Sequence, residues 1–252
     1  MKALILAAGA GTRLGSLTDS VPKALVDVGG RTALDRVASA LIDAGADRLV
    51  VNAHHLADQV EAAALALAAR GVEVMVSRED EVSDAPLETG GALRLAAPHL
   101  EGEEPFIVHN ADILTDVDLR ALYETHLAGE AADRRIATLV VTDRPTSRPL
   151  FVDRHGVFGR ANRAEGWEVV ARHPDRDSAR EVGFCGIHVV SPRLLPLLRE
   201  RGTFSIIDAY LRLVGAGKTV AALDASDRTW HDIGTPERLA AARAAFGARS
   251  PA

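Results

Sequence analysis

The chain opens on an apolar stretch that runs without a break into a glycine loop. Residues 1–14 read MKALILAAGAGTRL. The apolar part is far too short to cross a membrane, and no cleavage-type signal follows it. It predicts a buried strand, Lys2–Leu6, that delivers the chain to a turn of small residues. Glycines at 9 and 11 remove the Cβ atoms that would keep backbone N–H groups away from an anion. Arg13 adds a fork-shaped cation that grips phosphate oxygens in pairs. Lys23, stiffened by Pro22, offers a second positive charge.

The first half of the chain then alternates. Helical periodicity over Thr32–Ala44 ends near Gly45, and a Val/Leu-rich strand follows at Arg48–Asn52. An Ala-rich helix over Ala57–Arg70 is stopped by Gly71, before a strand at Val72–Val76. A helix over Gly90–Ala97 is expected to end at Pro98. Strands at Phe106–Asn110 and Ile136–Val141 flank a helix at Asp118–Ala128. Strands alternating with helices imply right-handed crossovers and a mostly parallel sheet covered on both faces. After Asp143 the rhythm changes to short strands at Leu150–Val152, Val157–Phe158 and Trp167–Val170, and a stronger one at Gly183–Val190. Helices are expected at Pro192–Glu200, Ile206–Val214 and Pro236–Phe246, with a strand at Thr219–Leu223. No linker or repeat divides the chain. The pattern predicts one domain over residues 1–247, with an alternating half at 1–143, a mixed half at 144–247 and a frayed tail at 248–252.

Other phosphate loops fit less well. A dinucleotide fingerprint needs a third glycine where Leu14 stands, and an acid after the second strand, which here ends Val51-Asn52-Ala53-His54. A Walker A loop at Gly215-Ala216-Gly217-Lys218-Thr219 lacks its first glycine, since residue 212 is Arg. It also follows a helix and precedes a strand, the reverse of the required order. A helix cap and turn accounts for it better.

A loop that holds a triphosphate needs a hard cation, and hard cations take carboxylate oxygens. Asp112 stands just past the strand Phe106–Asn110, at the end of a parallel strand where ligands bind. Asp232 follows the extended Thr229-Trp230. Each also has a plain structural reading, Asp112 as a turn residue and Asp232 as a neighbour of a helix-capping Thr235. The remaining composition limits partners. With 29 basic and 35 acidic residues in 252, the formal charge is −6, which disfavours nucleic acid as a ligand. Cys185 is the only cysteine, so no internal disulfide forms and a reducing, cytoplasmic setting is expected. Trp167 and Trp230 are expected in the core, and no histidine sits in a catalytic arrangement.

Taken in order, these blocks resemble the sugar-1-phosphate nucleotidyltransferases. That signature is a strand, G-x-G-T-R-L and a later P-K pair, here Gly9 to Leu14 and Pro22-Lys23. A block of the type L-G-T-A-G is similar to Leu87-Glu88-Thr89-Gly90-Gly91, and N-G-D to Asn110-Ala111-Asp112. A late G-I-x-V-x-x-P matches Gly186 to Pro192, and W-x-D-I-G-T-P-E runs from Trp230 to Glu237. Small uridylyltransferases acting on N-acetylmuramate 1-phosphate are similar, as are small mannose-1-phosphate guanylyltransferases.

The resemblance implies an α/β fold, a Rossmann-like three-layer sandwich on a mostly parallel mixed sheet. It implies an enzyme that joins a nucleoside triphosphate to a sugar 1-phosphate and releases pyrophosphate, with Mg²⁺ as cofactor. The first half, 1–143, would bind the nucleotide and the second, 144–247, the sugar phosphate. Leu6, Ala8, Gly9, Gly11, Thr12 and Arg13 would hold the nucleotide, and Glu88, Thr89 and Gly90 would read its base or ribose. Arg13, Lys23 and Asp112 would carry catalysis. Lys23, Asn110, Cys185 and Gly186 would border the sugar phosphate, and Asp112 and Asp232 would bind the metal. UTP with N-acetylmuramate 1-phosphate or a related hexose 1-phosphate is the expected pair. Alternatives are cytidylyl or guanylyl transfer to phosphocholine or mannose 1-phosphate, and a non-catalytic nucleotide-sugar sensor. No nucleic acid or membrane partner is expected, and the chain is expected as a monomer or homodimer. Two departures stand out. Ala111 replaces a glycine beside Asp112. The E-K-P block, whose lysine grips the sugar phosphate in relatives, is missing, with Arg160, Arg163 or Arg172 as candidates to replace it.

Overall fold

A computed structural model describes residues 1–247; the expected tail at 248–252 lies outside the described residues. The strand β1 (Lys2–Leu6) lies between β2 (Arg48–Ala53) and β4 (Phe106–Asn110), parallel to both. β3 (Glu73–Arg78) extends the sheet beyond β2. On the other side, the long β10 (Arg180–Val190) pairs antiparallel with β4 and with β6 (Ala137–Thr142), and β11 (Val220–Asp224) pairs parallel with β6. Among these strands only β10 runs against the rest, so the expected mostly parallel mixed sheet is present.

Alternation along the strands sorts side chains to two cores. Ile5 and Leu49 pack on one face with α1 (Ala33–Asp43) and α2 (Ala57–Ala66). Leu4 and Val50 pack on the other with α3 (Glu88–Leu100) and α5 (Ile206–Gly215). α4 (Leu119–Asp133) buries Leu119 and Leu122 against the first core, as α6 (Pro236–Gly247) buries Leu239 and Ala242. The side chain of Thr32 caps α1 by accepting from the Asp35 N–H at 3.1 Å, and Ser205 caps α5. The free N-terminal end of β10, Arg180–Val182, carries a smaller antiparallel sheet of β7 (Leu150–Asp153), β8 (Gly156–Asn162) and β9 (Trp167–Val170).

Several boundaries differ from the sequence reading. Pro98 does not end α3, which begins two residues earlier than expected and runs to Leu100. Proline in the last turn removes one hydrogen bond at an end where the helix is already fraying, so the loss is tolerated. The Ala57–Arg70 segment is α-helical only to Ala66 and tightens to a 3₁₀ turn over Leu67–Arg70. Pro192–Leu197 is 3₁₀ because Pro196 has no N–H to continue an α-helix. A short strand absent from the sequence reading, β5 (Ile113–Thr115), pairs antiparallel with β12 (Trp230–Asp232), which the sequence marks only as an extended run at Thr229-Trp230.

Candidate active site

The register of the parallel strands puts three chain exits at one edge of the sheet. Leu6 lies opposite Asn52 on one side and Asn110 on the other. The glycine loop, the end of β2 and the Asn110-Ala111-Asp112 turn therefore open together, as strand ends do in parallel sheets. The loop is held from below. The Ala7 N–H donates to Asn52 Oδ1 at 2.6 Å, and the Ala111 N–H donates to the Leu6 carbonyl at 2.9 Å. Gly11 has φ +67, and a Cβ there would stand 2.9 Å from Thr18 Cγ2 and 3.0 Å from Lys23 Cβ. That position admits the lysine stem only because it is glycine. Gly9 has no heavy atom within 4 Å of where its Cβ would be, so its open side faces the cleft.

The cleft is about 650 Å³ and is lined by Leu6, Ala8, Gly9, Lys23, Asn110 and Asp112, with Glu88 and Thr89 on the far wall. Glu79 also lines it, although nothing in the sequence reading singled it out. The residue is 1% exposed. It accepts from Asn52 Nδ2 and, at 2.9 Å, from the Leu87 N–H. Burial pushes the carboxyl up from the ordinary carboxylate range. The signal available in the sequence was an acid at the end of a strand, the same signal used for Asp112.

At the mouth of this cleft the charged residues meet. Lys23 is ion-paired to Asp112 with only 11% of its side chain exposed. Asp232 lies opposite Ile113 across the β5–β12 pair. Its Oδ1 accepts the Gly234 N–H at 2.6 Å and its carboxylate pairs with Arg238. A Cβ on Gly234 would lie 2.7 Å from Asp232 Oδ1, 3.0 Å from Arg13 Nη2 and 3.4 Å from Lys23 Nζ. Arg13, Lys23, Asp112 and Asp232 thus converge from four separate segments, with the exposed Thr12 beside Arg13.

Two carboxylates so joined, each now held by a cation, match what Mg²⁺ takes from a protein when substrate phosphates complete its shell. No cluster of three or more His, Cys, Asp or Glu forms a closed metal cage among the described residues.

A second cleft of about 1370 Å³ opens on the other side of Glu88 and Thr89, which line both. Its walls include Arg144, Arg148, Arg160, Trp167, Phe184 and Asp208. Trp167, expected in the core, is partly exposed here, and Trp230 is likewise only half-buried. Not every expected residue reaches a cleft. Cys185 is 1% exposed and its Sγ lies 3.9 Å from Thr142 Oγ1, so its side chain belongs to the core. Gly186 has φ +76 at an irregularity in β10, and a Cβ there would sit 2.8 Å from Asn110 Nδ2. It borders Asn110 rather than the open space. Gly90 is covered by the Phe204 ring, and its N–H donates to the Phe204 carbonyl at 2.9 Å. Glu88 and Thr89 remain at the surface of the clefts. Glu88 holds φ +57, a strained value for a residue with a side chain.

The sequence profile for nucleotidyl transferases matches residues 2–248. An N-acetylmuramate alpha-1-phosphate uridylyltransferase of Caulobacter vibrioides is 31% identical, over 96% of this chain and 95% of its own. One of Neisseria meningitidis is 32% identical, over 98% and 99%. A mannose-1-phosphate guanyltransferase beta-A of Xenopus laevis is 29% identical, over 94% of this chain but 62% of its own. Among solved structures, the inositol-1-phosphate CTP transferase of T. maritima superposes with a TM-score of 0.73 at 19% identity, covering 100% of this chain and 98% of its own. No helix among the described residues is long and apolar enough to cross a membrane. A glycine loop, two cations and two carboxylates at one sheet edge, on this fold and within this profile, leave one assignment: the chain belongs to the nucleotidyl transferase family.

Proposed function

We propose that the protein transfers a nucleoside monophosphate from a nucleoside triphosphate to a sugar 1-phosphate, with UTP and N-acetylmuramate 1-phosphate, or a related hexose 1-phosphate, as the preferred pair. The observation that carries this reading is the convergence of Arg13, Lys23, Asp112 and Asp232 at the mouth of the glycine-loop cleft, which shares its Glu88–Thr89 wall with a second cleft. The cleft lined by the glycine loop is assigned to the nucleotide, and the arginine-lined cleft beyond Glu88 and Thr89 to the acceptor. The preference for the uridylyl pair rests on relatives matched over nearly their whole length, whereas the guanylyltransferase is matched over 62% of its own.

An oxygen of the acceptor phosphate is already an anionic nucleophile at neutral pH. It attacks the α-phosphorus, a new P–O bond forms, and the bond to the bridging oxygen breaks to release pyrophosphate. No general base is needed. The chain's contribution is alignment and charge: Arg13 on the triphosphate, Lys23 at the reacting phosphates, and the glycine loop N–H groups along the chain of phosphates. Asp112 and Asp232 would hold Mg²⁺, which supplies neutralisation of the phosphate charge when bound.

The test is pyrophosphate release from the purified protein with Mg²⁺, each NTP in turn, and a panel of sugar 1-phosphates plus phosphocholine. Release that needs both UTP and N-acetylmuramate 1-phosphate supports the proposal. Release with another pair moves the specificity, and no release by a protein that still binds nucleotide would favour a sensor.

A further inference from the structure

The missing E-K-P lysine leaves the acceptor phosphate without an obvious cation, and the structure separates the arginines by what already neutralises them. Arg172 is bidentate on the buried Asp153, at 2.7 Å for one of its two contacts. Arg163 pairs with Glu181 and, at 3.7 Å, with Glu168. Arg160 lines the larger cleft but pairs with Asp208 at 3.0 Å. Arg148 lines the same cleft as an exposed side chain.

Arg144 differs from all of these. It is half-buried in the wall of the larger cleft, and no carboxylate pairs with it among the described residues. Its Nη2 donates to the Phe184 carbonyl at 2.7 Å, and its Nε is buried without a partner. Beyond that carbonyl it has the neighbouring Cys185 thiol and the more distant charge of Asp232, and a half-buried cation with no paired anion is costly. Its position is also fixed. The guanidinium lies 4.0 Å over the Trp230 ring, and the Trp230 indole N–H is anchored on the Cys185 carbonyl at 3.0 Å. A Cβ on Gly183 would lie 3.0 Å from Arg144 Cγ, so a larger residue at 183 would crowd the stem. Trp230 and Asp232 are two apart on β12 and face the same side. The stack on Trp230 therefore sets Arg144 on the Asp232 side of the acceptor cleft.

We infer that Arg144 is the residue that grips the phosphate of the acceptor, in the role left open by the absent lysine. This rests on the transfer reaction proposed above and adds the residue that binds the second substrate. An acceptor phosphate between Arg144 and the Asp112–Lys23 pair would supply the anion that Arg144 lacks. It would also present an oxygen toward the nucleotide cleft.

The test compares Arg144→Met and Arg144→Lys with the wild type and with Arg163→Met, a control whose arginine is neutralised outside the clefts. Two quantities are read: turnover with UTP, Mg²⁺ and N-acetylmuramate 1-phosphate, and calorimetric binding of that sugar phosphate in the presence of Mg²⁺ and a non-hydrolysable UTP analogue. Arg144→Met should lower kcat/KM for the sugar phosphate on the order of 100-fold, weaken its binding in step, and leave the KM for UTP within about threefold. Arg144→Lys should restore part of the loss, and Arg163→Met should behave as wild type. A purely structural role would instead lower the thermal midpoint and raise the KM of both substrates together. Equal acceptor binding by wild type and Arg144→Met overturns the inference, even if the reaction itself is established. If the wild type turns over no pair, the binding arm decides alone. Binding lost in Arg144→Met supports the inference, and absence of sugar phosphate binding to the wild type overturns it.

Discussion

The backbone N–H of Ile233 donates to the carbonyl of Asp112 at 3.0 Å. That one bond, extending the β5–β12 pairing, holds two carboxylates from distant parts of the chain in a fixed relation. Neither segment carries much strand signal alone, and each buries its backbone groups only by pairing with the other.

This arrangement predicts that Asp112→Ala and Asp232→Ala each abolish magnesium-dependent turnover while the thermal midpoint stays near that of the wild type. Near-normal activity in either would remove that residue from the metal site. Lys23 gives a sharper test, because in the free protein it occupies the Asp112 carboxylate. A divalent cation must displace it. Lys23→Met should therefore bind Mn²⁺ more tightly than wild type in the absence of nucleotide, while its turnover falls on the order of 100-fold or more. Weaker Mn²⁺ binding by Lys23→Met would refute the competition.

Glu79 ties the floor of the glycine-loop cleft to its wall. The chain of bonds runs from the Ala7 N–H to Asn52, from Asn52 to Glu79, and from Glu79 to the Leu87 N–H, just before the strained Glu88. Glu79→Leu leaves a side-chain amide and a backbone N–H buried without acceptors, at about 1–3 kcal/mol each. The protein should lose about 2–6 kcal/mol of stability, and its KM for the NTP should rise about tenfold or more as Glu88 shifts. Glu79→Gln keeps one carbonyl acceptor and should lie between the two. Denaturant unfolding and nucleotide titration check both parts, and an unchanged nucleotide KM in Glu79→Leu would limit Glu79 to a structural role.

His188 makes stability depend on pH. Its ring is 2% exposed, sits between Phe184 and Tyr210, and neither ring nitrogen has a hydrogen-bond partner. Burial lowers its pKa to about 3. The unfolded chain takes up a proton near the ordinary histidine value of about 6.5, and the folded chain does not until about pH 3. Stability from this group is whole above pH 6.5 and is lost as pH falls toward 3, at up to about 1.4 kcal/mol per pH unit. His109 and His126, both lowered to about 4 by burial, act in the same direction. His188→Phe keeps the ring contacts and removes the titration. The fall in thermal midpoint between pH 7 and pH 5 should be smaller in this variant, and an identical fall would assign the acid sensitivity elsewhere.

Much of the sheet was legible because its strands are continuous apolar runs bounded by glycine and charged turns, as at Lys2–Leu6 and Phe106–Asn110. Arg13, Lys23 and Asp112 were legible as residue types at strand ends. What the sequence could not display was partnership. The β5–β12 pair joins distant segments: Thr229-Trp230 reads as extended, but Ile113–Thr115 carries no strand signal, so the pairing itself is invisible. Glu79 looked like one more surface acid until its burial against Asn52 appeared. Cys185 and Gly90 were placed near ligands through neighbouring motif residues, yet Thr142 and Phe204 occupy those directions. Arg144 had no motif around it, and its significance depends on the absence of a carboxylate that only the fold reveals.

Gly234 separates space from flexibility as the reason for a glycine. Its φ is not in the left-handed region that favours glycine, so alanine is permitted by the backbone. The added methyl would nonetheless stand 2.7 Å from Asp232 Oδ1, 3.0 Å from Arg13 Nη2 and 3.4 Å from Lys23 Nζ. Three charged side chains would have to move apart at the point where the proposed reaction holds the phosphates. Gly234→Ala should therefore leave the thermal midpoint within a few degrees of wild type, since these side chains are partly solvated and can give way. Turnover should fall by about 10²-fold, the scale on which an ångström of misplacement acts in an aligned site. If kcat survives the substitution, the three side chains do not act from these positions, and the convergence around Gly234 would be a feature of the ligand-free protein alone.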